Sequence, residues 1–136
     1  MKTDNWFLLE DEQYRIDFFR ERGVPASNVF LWPEQLVASV EQTDGPVVVF
    51  LDHDLGLRVY DPYPREVTGA DAAEGLAKLG RPGVYVVHSL NDAGARRMVG
   101  HLMEIKGAKV ARVPMNAVFS RDVGEMVDRL MTEVLP

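Results

Sequence analysis

Short apolar runs and helically spaced apolar positions take turns along the chain. Trp6-Phe7-Leu8-Leu9 is apolar throughout and ends abruptly in Glu10-Asp11-Glu12. From Gln13 to Arg22, Ile16, Phe18 and Phe19 recur at helical spacing, and Gly23 stops the pattern. Val29-Phe30-Leu31-Trp32 predicts a second strand, and Pro33 opens a helix carrying Leu36, Val37 and Val40. Thr43-Asp44-Gly45-Pro46 turns the chain into Val47-Val48-Val49-Phe50-Leu51, a continuous β-branched run that suits a central strand covered on both faces. It gives way to Asp52-His53-Asp54.

Residues 57 to 67 contain two prolines and no sustained period, so they read as a loop. Thr68 or Asp71 is placed to cap a helix that runs to about Leu79 and ends at Gly80. Gly83-Val84-Tyr85-Val86-Val87 predicts a fourth strand, closing on His88-Ser89. Asp92 is placed to cap the next helix, which carries Met98, Leu102, Met103 and Ile105 and stops at Gly107. Lys109 to Val113 is a weaker fifth strand ended by Pro114. Ser120 or Asp122 opens a last helix with Val123, Met126, Val127, Leu130 and Val134. Alternation of this kind predicts an α/β three-layer sandwich around a five-stranded parallel sheet, of order 2-1-3-4-5 and of the flavodoxin or receiver type, as a single domain over residues 1–136.

In open sheets of this kind ligands bind beyond the carboxyl ends of the strands. Strand one delivers Glu10, Asp11 and Glu12 there, strand three Asp52, His53 and Asp54, and strand four His88, Ser89 and then Asn91. Plainer readings exist for each group. Acids after a strand cap helices, and His88-Ser89 fits a buried histidine beside a satisfied hydroxyl. Asp52-His53-Asp54 resists such a reading, because three polar side chains after a buried strand must hydrogen-bond, bind metal or line a cleft. The convergence of all these groups points to a functional site.

Charge and composition narrow the ligand. Fifteen Lys and Arg against 21 Asp and Glu give a net charge of −6, which argues against a duplex-DNA-binding face but leaves room for one small anionic nucleotide. Cysteine is absent, so disulfides, thiolate catalysis and Cys-ligated zinc are excluded. No apolar run has the length of a membrane span and the start does not lead into a signal-peptide core, so a cytoplasmic protein is expected. His101, within a helix, reads as a surface or interface residue, and a homodimer is a candidate assembly.

The whole chain resembles a response-regulator receiver domain. Glu10 and Asp11 match its acidic pair, Asp52 its phospho-acceptor position and Ser89 its hydroxyl position. Receivers carry a lysine before the strand-five proline, whereas Val113 precedes Pro114 here, with Arg112 and Lys109 the nearest cations. That departure argues against phosphoryl relay. A narrower resemblance covers residues 47 to 102 closely: Leu51-Asp52-His53-Asp54-Leu55-Gly56, then Thr68-Gly69, then His88-Ser89-Leu90-Asn91 with Gly94 and Met98 are similar to the cyclic-phosphate-processing receiver-like family of prokaryotic and phage proteins.

The resemblance implies a phosphoesterase acting on cyclic phosphates of nucleotides or RNA ends, in a setting of signalling or defence. Imidazole works as base or acid near neutral pH, so His53 and His88 are the expected catalytic pair, supported by Asp52 and Asp54. Glu10, Asp11 and Asp52 are the expected ligands of Mg²⁺ or another divalent cation. Ser89, Asn91, Thr68, Arg96 and Arg97 are the expected substrate-binding groups. Arg58 and Arg65 are further cations, and Tyr60 and Tyr63 could stack on a base if their loop closes. The alternative is a non-enzymatic receiver-like module that binds a protein partner, and a third reading is a regulator phosphorylated by small phosphodonors.

Overall fold

A computed structural model describes residues 2–113 and 123–134. The apolar runs form strands β1 (Trp6–Leu9), β2 (Val29–Phe30) and β3 (Val47–Leu51), joined by helices α1 (Gln13–Glu21) and α2 (Pro33–Glu41). Strands β4 (Asp54–Val59) and β5 (Arg65–Thr68) follow, then α3 (Gly69–Leu79), β6 (Gly83–Val87), α4 (Asp92–Leu102), β7 (Ala108–Arg112) and α5 (Val123–Val134). The main sheet is parallel and ordered β2-β1-β3-β6-β7. With β4 and β5 left out of the count, that is the expected 2-1-3-4-5 order. The caps expected at Ser120 or Asp122, and the stop at Pro114, lie outside the described residues.

Every residue of β1, β3 and β6 is buried, because helices cover both faces of the sheet. Period-two alternation sorts their side chains. Phe7, Leu9, Val49, Leu51, Tyr85 and Val87 meet α2, α3 and α4 in one cluster. Trp6, Leu8, Val48, Phe50, Val84 and Val86 meet Phe19 of α1 and Met126 and Val127 of α5 in the other. Each large apolar side chain removed from water contributes roughly 1.5–3 kcal/mol, so the sheet edges are held against a rigid core. Among the described residues no helix is long and apolar enough to cross a membrane.

The segment read as a loop is instead an antiparallel β4-β5 hairpin, a correction with a clear cause. Leu55, Leu57 and Val59 alternate inward and Val67 is buried, but a register shift between Asp54 and Leu57, with Gly56 at φ +66°, breaks the regular pattern. Two helix starts are also sharper than expected. Thr68 caps α3 in a capping box with Asp71, accepting from the Ala70 N–H while the Thr68 N–H donates to the Asp71 carboxylate. Asn91, not Asp92, caps α4 by accepting the Gly94 N–H at 2.9 Å. Helix α4 ends at Leu102, before Met103 and Ile105.

Gly69 follows the Thr68 cap because the chain comes back against β3. Its N–H donates to the His53 carbonyl at 2.8 Å, and a Cβ there would lie 1.9 Å from the Asp52 carbonyl oxygen. Gly69→Ala should therefore cost about 3 kcal/mol or more through backbone displacement, against about 1 kcal/mol for Thr68→Ala, which removes only the cap. Urea denaturation of the two variants checks this ranking, and equal losses would contradict it.

Candidate functional site

The site begins with strand register. Leu9 pairs with Leu51 and Leu51 with Val87, so Glu10, Asp52 and His88 form the next row across three adjacent strands. The pairing continues through them: the Asp52 N–H donates to Leu9 O and the His88 N–H to Leu51 O. Since Leu9, Leu51 and Val87 face α2–α4, alternation turns the next row towards α1. His88 accordingly packs against Phe19, with ring centroids 4.9 Å apart. The three polar residues are buried, His88 completely, and offer ligand atoms all within 4.8 Å of one another.

Desolvation governs their protonation. Burial, reinforced by the Asp52 charge, pushes the Glu10 carboxyl up to about 8. Burial also pushes Asp52 up to about 6, against the opposing pull of the His53 N–H and Arg15. The His88 imidazole is pushed down to about 3 by burial, and is neutral at physiological pH. Glu10 Oε1 accepts the N–H groups of Asp11 and Glu12. Arg15 Nη1, from the first turn of α1, lies 3.6 Å from Glu10 Oε1 and 3.6 Å from Asp52 Oδ2. Glu10 Oε2 and both ring nitrogens of His88 have no hydrogen-bond partner among the described residues.

Two polar clefts border this row. The first, of about 310 Å³, is lined by Asp11, Arg15, Asp52, Asp54, Gly56 and Ser89. The Ser89 hydroxyl also accepts the Asn91 N–H at 3.1 Å. The second, of about 290 Å³, is lined by His53, Thr68, Arg65 and Arg97, with the acids Glu66, Asp71 and Glu74. His53 Nδ1 lies 2.7 Å from Asp54 Oδ1, and this hydrogen bond holds the Asp54 carboxyl below its usual range. The Asn91 amide nitrogen lies 3.3 Å from both His53 Nδ1 and Asp54 Oδ1. Donation from His53 Nδ1 and from Asn91 to the same carboxylate leaves His53 Nε2 as the lone-pair nitrogen. Gly94 makes the arrangement fit, since a Cβ there would lie 2.4–2.6 Å from the His53 ring.

These placements revise several expectations. Asp52 and Asp54 do meet at one edge, but His53 turns to the α4 side and His88 to the α1 side, so the two imidazoles do not form an acid–base pair. The plainer reading of His88 as a buried histidine describes its position. Asp11 lies outside the buried row and lines the first cleft, while His88 takes part in that row. Thr68 and Asn91 adjoin the site with their side-chain oxygens committed to helix caps. Arg96 is largely exposed and paired with Asp92 at 3.3 Å, away from both clefts, whereas Arg97 lines the second. Arg112 also turns to Asp92, and Val113, at the position of the receiver lysine, is buried. Tyr60 and Tyr63 are exposed at the hairpin tip. Arg15 was not anticipated, although a helix starting at Gln13 must fold its first turn back over the end of β1.

The sheet order and the acidic edge are those of a receiver fold. Two solved structures are similar over nearly the whole chain. One is the N-terminal domain of a response regulator/sensory box/GGDEF three-domain protein from Carboxydothermus hydrogenoformans, with TM-score 0.55 and 16% identity, covering 94% of this chain and 96% of that one. The other is the signal receiver domain of a modulated diguanylate cyclase from Desulfovibrio desulfuricans G20, with TM-score 0.51, 16% identity and coverage of 94% and 96%. No protein with a curated description matches the sequence. The Cyclic-phosphate processing Receiver domain matches residues 7–104, and the chain belongs to that family.

Two predictions follow from the geometry. A raised carboxyl pKa means that the folded state keeps a proton the unfolded chain has released. Glu10 therefore contributes stability that is complete below pH 4.5 and lost as pH rises through about 8. Asp52 behaves alike between 3.8 and about 6, and His88 oppositely, losing its contribution as pH falls from 6.5 through about 3. From pH 6.5 to 8 Glu10 is the one of the three still changing. In chelator-treated protein, urea melts should lose on the order of 1–2 kcal/mol across that interval, and Glu10→Gln should flatten the dependence. Separately, Gly94→Ala should displace the His53 ring while leaving the fold intact, visible as a shifted His53 imidazole resonance in NMR spectra. An unmoved resonance would contradict the packing.

Proposed function

We propose that the chain hydrolyses a cyclic phosphate of a nucleotide or an RNA end at the second cleft, with His53 as the general base. The observation that supports this reading is the hydrogen-bonded His53–Asp54 pair, steadied by Asn91, at a cleft that also presents Arg65 and Arg97. Asp54 fixes the imidazole tautomer and stabilises the imidazolium that forms when Nε2 takes a proton from water. The water oxygen bonds to phosphorus, the bond from phosphorus to one ring oxygen breaks, and that oxygen takes a proton from solvent in the open cleft. Arg97 offers charge to the phosphoryl oxygens; Arg65 is already engaged with Asp71 at 3.1 Å.

A buried Glu/Asp/His group could hold a metal. The orphaned atoms Glu10 Oε2 and His88 Nδ1 fit a divalent cation, with Glu10, Asp52 and His88 as its holders. Such an ion, when bound, would supply positive charge at the acidic edge and offset the carboxylates gathered there. His88 in this reading holds the edge together, and the proton transfer belongs to His53.

The test is to incubate the protein, with and without divalent cations, with 2′,3′-cyclic mononucleotides, 3′,5′-cyclic mononucleotides and cyclic dinucleotides, and to separate the products by chromatography. At least one class should be opened. His53→Ala should lower kcat by about 10²–10⁴-fold, with Asp54→Asn intermediate between it and the parent. No turnover of any substrate would overturn the reading. A signalling role is the second reading, favoured by the receiver fold and by the retained Asp52 and Ser89 of the first cleft. A stable beryllofluoride adduct at Asp52, together with inactivity towards all cyclic phosphates, would establish it instead.

A further inference from the structure

The buried row carries an inference that concerns the ion and is independent of whether a cyclic phosphate is the substrate. A receiver-type acidic pair leads one to expect Asp11 beside Glu10 and Asp52 as an all-oxygen set. The three ligand atoms that lie within 4.8 Å of one another here come instead from Glu10, Asp52 and His88. Residues 10, 52 and 88 are consecutive members of one row facing α1, and Asp11 falls in the outer cleft.

The bonding of the individual atoms makes the row specific. Glu10 Oε1 is occupied by two backbone N–H groups and the nearby Arg15, and Asp52 Oδ1 accepts the His53 N–H at 2.8 Å. Glu10 Oε2 is left facing His88 Nδ1 at 3.6 Å, and neither atom has a hydrogen-bond partner among the described residues. That gap is too long for a hydrogen bond. It is a reasonable separation for two atoms bound to one ion through bonds of about 2.0–2.2 Å. A buried polar atom left unsatisfied is costly, so one ion would relieve two such penalties at once.

We propose that Glu10, Asp52 and His88 are the ion site of this protein, and that it takes a transition divalent cation, Mn²⁺ or Zn²⁺, in preference to Mg²⁺. An imidazole nitrogen suits transition cations, whereas Mg²⁺ favours oxygen ligands and gives up its water reluctantly. Arg15 Nη1 lies 3.6 Å from Glu10 Oε1 and from Asp52 Oδ2, beyond hydrogen-bond reach, so Glu10 Oε2, Asp52 Oδ2 and the His88 ring remain open to the ion.

The test uses the full chain, stripped with chelator and titrated with Mn²⁺, Zn²⁺ or Mg²⁺ without substrate. Isothermal calorimetry should give one Mn²⁺ or Zn²⁺ per chain, at least about tenfold tighter than Mg²⁺. Asp11→Asn should change that affinity by less than about twofold, and Glu10→Gln should weaken it by about tenfold or more. Because His88→Gln could fail to fold, ligation by histidine is read in the parent protein. Pulsed EPR of bound Mn²⁺ should show nitrogen coupling that changes when histidine is ¹⁵N-labelled. Absence of transition-ion binding would overturn the proposal, as would absence of nitrogen coupling. So would Mg²⁺ bound as tightly as Mn²⁺ and lost in Asp11→Asn. None of these outcomes bears on His53-dependent turnover, so failure here and failure of the hydrolytic reading are distinguishable.

Discussion

Parallel register across β1, β3 and β6 is the constraint on which everything else rests. Because Leu9, Leu51 and Val87 pair side by side, whatever residue follows each of them is forced into a common row under α1. Three polar groups therefore lose water together, which a set of scattered polar residues would not do. Burial is the first cause of all three shifts, and it acts in the same sense on each group, favouring the neutral form. The edge thus stores an unfavourable electrostatic arrangement that a proton, Arg15 or an ion can relieve. The rigid apolar clusters on either side keep the row from relaxing into solvent.

One residue further along, His53 leaves the row and lines the second cleft, while Ser89 stays buried beside Asp52 at the first. Two histidines that look equivalent as edge residues end in different environments, one stacked against Phe19 with no hydrogen-bond partner for its ring among the described residues and one hydrogen-bonded to Asp54, which Asn91 also approaches.

Much of this was legible in the sequence. The continuous β-branched run Val47–Leu51 could only be a covered strand, and the polar residues after three such runs had to share an edge. Less legible was the sorting of those residues into faces, since gathering them at one edge ignores the period of two that continues past the last strand residue. Edge placement alone pairs His53 with His88 and groups Asp11 with Glu10 and Asp52, without separating the residues by face. The β4-β5 hairpin was hidden because the irregularity around Gly56 interrupts the alternation of Leu55, Leu57 and Val59, and because Pro62 and Pro64 near its tip read as loop. Arg15 was missed because nothing local marks it. Its position depends on how α1 returns over β1.

The hairpin also acts as a partition. Asp54 and Thr68 are cross-strand partners, yet Asp54 and Gly56 border the first cleft while Arg65 and Thr68 border the second. Asp54 in addition grips the imidazole that lines the far side. The two compartments thus share the hairpin as a wall, anchored at its base by the Gly69–His53 backbone bond. The single Asp54 carboxylate belongs to both, as lining of one cleft and as hydrogen-bond partner of the imidazole in the other.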